Sequence, residues 1–221
     1  MAEDEVELPS GRFAADDPRA RDEALKLIGL FIVNFSRYVT HLEYGLSLCF
    51  GIGDPRVTRT LWAVTSGMEE NGLRRAFFAA TALVAEPTEQ GRKIRTALHK
   101  RAQDLGKRRN DIAHGAWYLF SSTGVETDEE VVQKESYEPK LIRDGGKLNE
   151  EPSRQIVIAS RKDLKLLAQE AEDLADLVWE YISGLLIHPA GTPGVIDRLG
   201  FTDDGVLVRR NLDGWTPGGQ A

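Results

Sequence analysis

Two Asp-Pro dipeptides bracket an unbroken run of helical periodicity, and this run limits the possible folds of the chain more than any other feature. Asp17-Pro18 and Asp54-Pro55 each offer a carboxylate N-cap followed by proline at the first helical position, where its missing N–H costs nothing. Between them Leu27, Leu30, Phe31, Asn34, Phe35, Tyr38, Leu42, Gly45 and Leu46 recur at three- and four-residue spacing. That spacing predicts one helix over about 18–50 with a broad apolar stripe. Such a stripe must be covered by other elements, so the chain commits early to helix-on-helix packing.

Later segments supply those elements. The same periodicity predicts a helix over 55–66 and another over 69–85, whose apolar face carries Leu73, Ala76, Phe77, Ala80 and Leu83. A fourth runs from Pro87 to about 113 through Ile94, Leu98, Ala102, Leu105 and Ile112. Gly106 interrupts it and costs up to about 1 kcal/mol against alanine, so a kink or a close helix contact is expected there. The pattern then changes. Residues 116–120, 130–134 and 155–158 have β character and are separated by Gly, Asp, Glu and Pro clusters. Ser160 with Asp163 reads as a capping box that opens a final helix over about 161–187. The expected fold is mainly α: a helical domain over 17–188 with a small antiparallel β insertion (about 115–159) before the last helix. A flexible acidic leader (1–16) precedes it, and an irregular Gly/Pro-containing tail (189–221) follows.

The chain has 221 residues, 41% of them hydrophobic, which suits one cored domain with additions. The formal net charge of −7 argues against a protein that coats nucleic acid through bulk electrostatics. The charge is uneven, however. Residues 92–109 carry Arg92, Lys93, Arg95, Lys100, Arg101, Lys107, Arg108 and Arg109 against Asp104 alone. Cys49 is the only cysteine and sits between Leu48 and Phe50, so it reads as a small buried hydrophobe. His41, His99 and His188 show no spacing with carboxylates that demands a metal, and no cofactor-binding glycine loop is present. No metal or cofactor is expected. The most apolar stretch, 27–35, is far shorter than a membrane span, and the acidic N-terminus is no signal peptide. A cytoplasmic protein without membrane attachment is the expectation.

Chemical density is greatest at the end of the basic helix, in Arg108-Arg109-Asn110-Asp111-Ile112-Ala113-His114-Gly115-Ala116-Trp117. A permanent cation, an amide and an imidazole close the helix, and Gly115 offers a left-handed cap. On a straight helix Asn110 and His114 differ by about 40°, whereas Arg109 and His114 differ by about 140°. Asn110 is therefore placed to orient the imidazole. A helix C-terminus favours the imidazolium form of His114. The bland alternative is a capped helix end whose Arg109 and His114 pair with a carboxylate such as Asp111 or Glu43. Trp62, Phe77, Phe78 and Trp179 read as core.

Arg109-Asn110-Asp111-Ile112-Ala113-His114, followed by Gly115 and Trp117, resembles the signature of the HEPN superfamily (higher eukaryotes and prokaryotes nucleotide-binding domain). The resemblance covers roughly 18–114 and 161–187 and leaves the β insertion, leader and tail unexplained. It implies a helical bundle that forms a homodimer with the motif helices facing each other. Often it also implies a metal-independent endoribonuclease, plausibly a toxin or defence effector with an antitoxin protein as partner. On that reading Arg109, Asn110 and His114 are catalytic, while Arg101, Lys107 and Arg108 bind a single-stranded RNA or tRNA. Trp117 and Tyr118 offer stacking surfaces. The alternative is a catalytically inactive, dimeric HEPN-like binding or scaffold protein.

Overall fold

A computed structural model describes residues 18–51, 54–84, 88–114, 116–122, 136–145, 153–158, 160–187 and 194–213. The protein is mainly α. Its elements run α1 (Pro18–Gly51), α2 (Pro55–Thr65), α3 (Glu70–Val84), α4 (Glu89–His114), β1 (Ala116–Ser122), β2 (Ser136–Gly145), β3 (Ser153–Ile158), α5 (Arg161–Leu186), α6 (Val195–Arg198), β4 (Leu199–Phe201) and β5 (Leu207–Arg209). The chain divides into two compact units, one of residues 29–110 and 166–221, the other of residues 1–28 and 111–165.

The larger unit is organised on the expected stripe of α1. Phe31, Phe35, Tyr38, Leu42 and Leu46 are buried, with Leu73, Phe77 and Phe78 from α3. Ile94, Leu98, Ala102 and Leu105 of α4 and Leu167, Ala171, Leu174, Val178, Tyr181 and Ile182 of α5 complete this core. Polar side chains of α1 fix its register on α5. Asn34 Nδ2 donates to the Ala168 carbonyl (3.1 Å), Arg37 Nη2 to the Glu172 carbonyl (3.3 Å), and His41 Nδ1 meets the Ala175 carbonyl (2.9 Å). Partners climb together along both helices, so α1 and α5 run in the same direction. Further along, Gly45 allows close approach. A Cβ there would lie 2.6 Å from Phe77 Cε2 and 2.7 Å from Ile182 Cδ1.

Asp54 caps α2 as its sequence implies, its carboxylate accepting from Arg56 N at 2.8 Å ahead of Pro55. The cap of α5 forms similarly, with Asp163 N donating to Ser160 Oγ at 3.2 Å. Gly106 proves to be a contact point. A Cβ on it would stand 3.0 Å from Glu70 Oε2. Glu70 in turn accepts from the Tyr38 hydroxyl (3.0 Å) and from Arg74 Nε (2.9 Å), and Arg74 also donates to Asn71 (2.7 Å). Burial first, and then the Glu70 charge, push the Tyr38 phenol well above its usual range.

Several expectations need correction. Leu30 and Leu83, assigned to apolar faces, are exposed, Leu83 at 85%. Trp62 and Trp179, read as core, are 49% and 40% exposed, whereas Phe77 and Phe78 are buried as expected. Part of the tail is ordered. Leu199 and Leu207 are buried in a β4–β5 hairpin whose turn places Gly205 at φ +80°, a conformation that glycine adopts without steric cost. Glu180 of α5 holds this hairpin through Arg198 (2.8 Å) and Arg209 (3.1 Å).

In the smaller unit, β1, β2 and β3 form an antiparallel sheet with β2 in the centre. Its middle strand is Ser136–Gly145 rather than the expected 130–134, which lies outside the described residues. Pro139 argues against a central strand. Its effect is muted because β3 pairs with β2 only from Leu141 onward, so Pro139 faces just one neighbour, at Leu119. Among the described residues of this unit Ala24, Ile112, Leu141 and Leu164 are buried, and Arg161 pairs with Glu23 at 2.7 Å. The leader, the Asp17 cap, Pro87, Gly115 and His188 lie outside the described residues.

Two substitutions test these contacts. Gly45→Ala should destabilise the protein by roughly 1–3 kcal/mol, because the facing side chains are core groups with no room to withdraw. Glu70→Ala should cost about 2 kcal/mol by leaving the Tyr38 hydroxyl and the Arg74 guanidinium without their acceptor. Urea unfolding of both variants measures the losses.

Candidate functional site

Helix α4 continues without a break through the whole motif and ends at His114. Arg109 and Asn110 close the larger unit and His114 belongs to the smaller one. All three are exposed at the C-terminal end of the helix. Asn110 does not behave as expected. Its Oδ1 accepts from Arg109 Nη1 at 3.3 Å, so the amide engages the guanidinium, not the imidazole.

The other basic candidates have protein partners. Lys107 pairs with Asp104 at 3.2 Å and Arg108 with Glu170 at 3.3 Å, both at exposed positions. Pairs of this kind contribute at most about 1 kcal/mol and exchange easily for another anion. Arg101 Nη1 donates to the Leu207 carbonyl at 3.3 Å, so this side chain ties α4 to the C-terminal hairpin. Arg109 differs from these. Among the described residues it contacts a neutral amide and no carboxylate, and its charge stays available to an anion. Trp117 and Tyr118 lie in β1, opposite Leu141 and Lys140 of β2.

Two clefts in the larger unit escaped the sequence reading. One, of about 390 Å³, is lined by Thr40, His41, Tyr44, Thr58, Arg59, Trp62 and Trp179. The Tyr44 and Trp179 rings stack at 6.1 Å between centroids, and the His41 ring lies 5.2 Å from that of Trp179. A tryptophan at helical spacing reads as core, so no periodicity could have separated these rings from Phe77. The other cleft, of about 330 Å³, is lined by Arg75, Phe78, Ala79, Arg95, Thr96 and His99. Cys49 is half-buried, and burial pushes its thiol up to about 11, so it is protonated at neutral pH. Among the described residues no cluster of His, Cys, Asp and Glu is arranged to hold a metal ion, and no helix is long and apolar enough to cross a membrane.

Comparisons of the chain with family models, with curated proteins and with solved structures find no significant match.

Two histidines make folding sensitive to pH. Burial and the Arg37 charge lower the pKa of His41, and burial with the Arg74 and Arg75 charges lowers that of His99, both from an ordinary 6.5. Below 6.5 the unfolded chain therefore binds protons that the folded protein resists, and stability rises with pH through that window. The melting temperature should drop as the pH falls below about 6.5, and the drop should be smaller in His41→Gln. Calorimetric melts across this range provide the check.

Proposed function

We propose that the C-terminal end of α4 is the working site of a metal-independent endoribonuclease of HEPN type, assembled as a homodimer and acting on single-stranded RNA or tRNA. The 2′-oxygen of the substrate attacks the adjacent phosphorus and the bond from phosphorus to the 5′-oxygen breaks. His114 takes the 2′ proton and returns one to the departing 5′-oxygen. Arg109 stabilises the negative charge that builds on the phosphoryl oxygens, with Asn110 holding the guanidinium in place. The products are a 2′,3′-cyclic phosphate and a 5′-hydroxyl end.

The observation that carries this reading is the exposed Arg109, engaged among the described residues only by a neutral amide, on the same unbroken helix as an exposed terminal His114. Lys107 and Arg108 extend the positive edge, because their exposed carboxylate partners are readily displaced by phosphate. A toxin or defence role with a neutralising antitoxin protein follows from the same reading.

A second reading, a catalytically silent dimeric binding protein, is favoured by the engagement of Asn110 with Arg109 in place of His114. Activity assays separate the two. The purified protein should cleave single-stranded RNA in EDTA and leave cyclic phosphate ends, and His114→Ala should lower the rate about 100-fold or more. Unchanged cleavage in His114→Ala, or no cleavage of RNA or tRNA by the wild-type protein, overturns the ribonuclease reading. RNA affinity that survives His114→Ala without any turnover supports the second.

A further inference from the structure

The cleft between α3 and α4 gathers positive charge that no carboxylate among the described residues pairs with. Arg75 enters from α3 and Arg95 from α4, with Thr96 next to Arg95 and His99 one turn further along α4. Among the described residues neither arginine pairs with a carboxylate. Glu70, the carboxylate whose charge acts on His99, already accepts from Tyr38 and Arg74. The Arg95 charge acts on the hydroxyl of Tyr181, a buried side chain of α5. His99 rests on the Phe78 ring, with centroids 5.0 Å apart. Its Nε2 is buried and has no hydrogen-bond partner among the described residues. A buried polar atom of this kind is destabilising unless something satisfies it. Burial first, and then the Arg74 and Arg75 charges, disfavour protonation of that imidazole, with Glu70 opposing them.

We infer that this cleft is an oxyanion site that takes a phosphate group between Arg75 and Arg95, with His99 as the third ligand. Guanidinium groups match phosphate oxygens in charge and geometry. The volume of about 330 Å³ leaves room for a substituent on the phosphate. The site does not depend on the ribonuclease reading. His99 lies ten residues before Arg109, about 15 Å away along α4, and shares no residue with the motif. The phosphate has two possible sources, a small monoester or the diester backbone of a nucleic acid.

The intact protein can be titrated with inorganic phosphate, adenosine monophosphate and a single-stranded 2′-O-methyl oligoribonucleotide, each against chloride at equal ionic strength. The histidine ring signals are followed by NMR, with His99→Asn used for assignment. A bound phosphate should raise the titration midpoint of His99 by about one pH unit or more, and should raise the melting temperature. Arg75→Gln, a change at an exposed position, should weaken binding about tenfold while leaving the melt without ligand close to wild type. A response to phosphate and the monophosphate but not the oligonucleotide supports the site and identifies a monoester ligand. A response to the oligonucleotide supports it and identifies the backbone. An unmoved His99 signal with all three probes, or equal affinity in Arg75→Gln, overturns the proposal. Loss of RNA cleavage in His114→Ala with the His99 response intact separates this site from the motif.

Discussion

The seam between α1 and α5 supports the rest of the larger unit. It is held by polar groups at one end and by close packing at the other. Asn34, Arg37 and His41 reach successive carbonyls of α5, which fixes the sliding register of two parallel helices. Hydrophobic contact alone would leave that register loose, because one turn of aliphatic residues packs much like the next. Beyond His41 the absent side chain of Gly45 lets Phe77 and Ile182 close over α1. Phe77 in turn meets Tyr181 edge-on at 6.3 Å, so α3, α1 and α5 share a single packing point. Because α3 is held there, its Glu70 and Arg74 are presented toward Tyr38 and Gly106.

Charge is distributed by the same logic. Several arginines of the larger unit meet a carboxylate: Arg74 meets Glu70, Arg198 and Arg209 meet Glu180, and Arg37 meets Asp176. These pairs hold helices or the C-terminal hairpin in place. Arg109, Arg75 and Arg95 stand outside this pattern, since the described residues around them offer amides, hydroxyls and rings in place of carboxylates. A guanidinium left this way remains open to an external anion. That contrast gives both proposed sites a common basis in an otherwise acidic protein.

Much of the architecture could be read from residue spacing. The stripe of α1, the interior residues of α4 from Ile94 to Ile112, and the Asp54 and Ser160 caps follow from local rules that tertiary context rarely overrides. The misread positions share a physical cause. Leu83 and Trp62 occupy helical positions that periodicity alone marks as apolar, yet whether a helix face is covered depends on what packs against it. Pro139 is out of keeping with a central strand, which needs its N–H groups, and only the pairing register shows that β3 stops short of it. The C-terminal hairpin uses three-residue strands, too short for any alternation to stand out. In the candidate site, the motif residues were legible from their types and order. The partners of Arg101, Lys107 and Arg108 were not, because each depends on which side chains the fold brings alongside.

The amino-acid sequence by itself determined the helical class, the boundaries of the long helices, the presence of a β insertion between α4 and α5, and the placement of Arg109, Asn110 and His114 at a helix end. These follow from periodicity, capping and covalent spacing, which act over a few residues. Only the tertiary structure decided that Asn110 serves Arg109, that Gly106 seats a carboxylate, and that Trp62, Trp179 and Tyr44 line a cleft. It alone also placed two arginines from different helices beside the buried nitrogen of His99. Those outcomes depend on contacts between segments far apart in the chain, and the energy of such a contact is set by what both sides exclude from water.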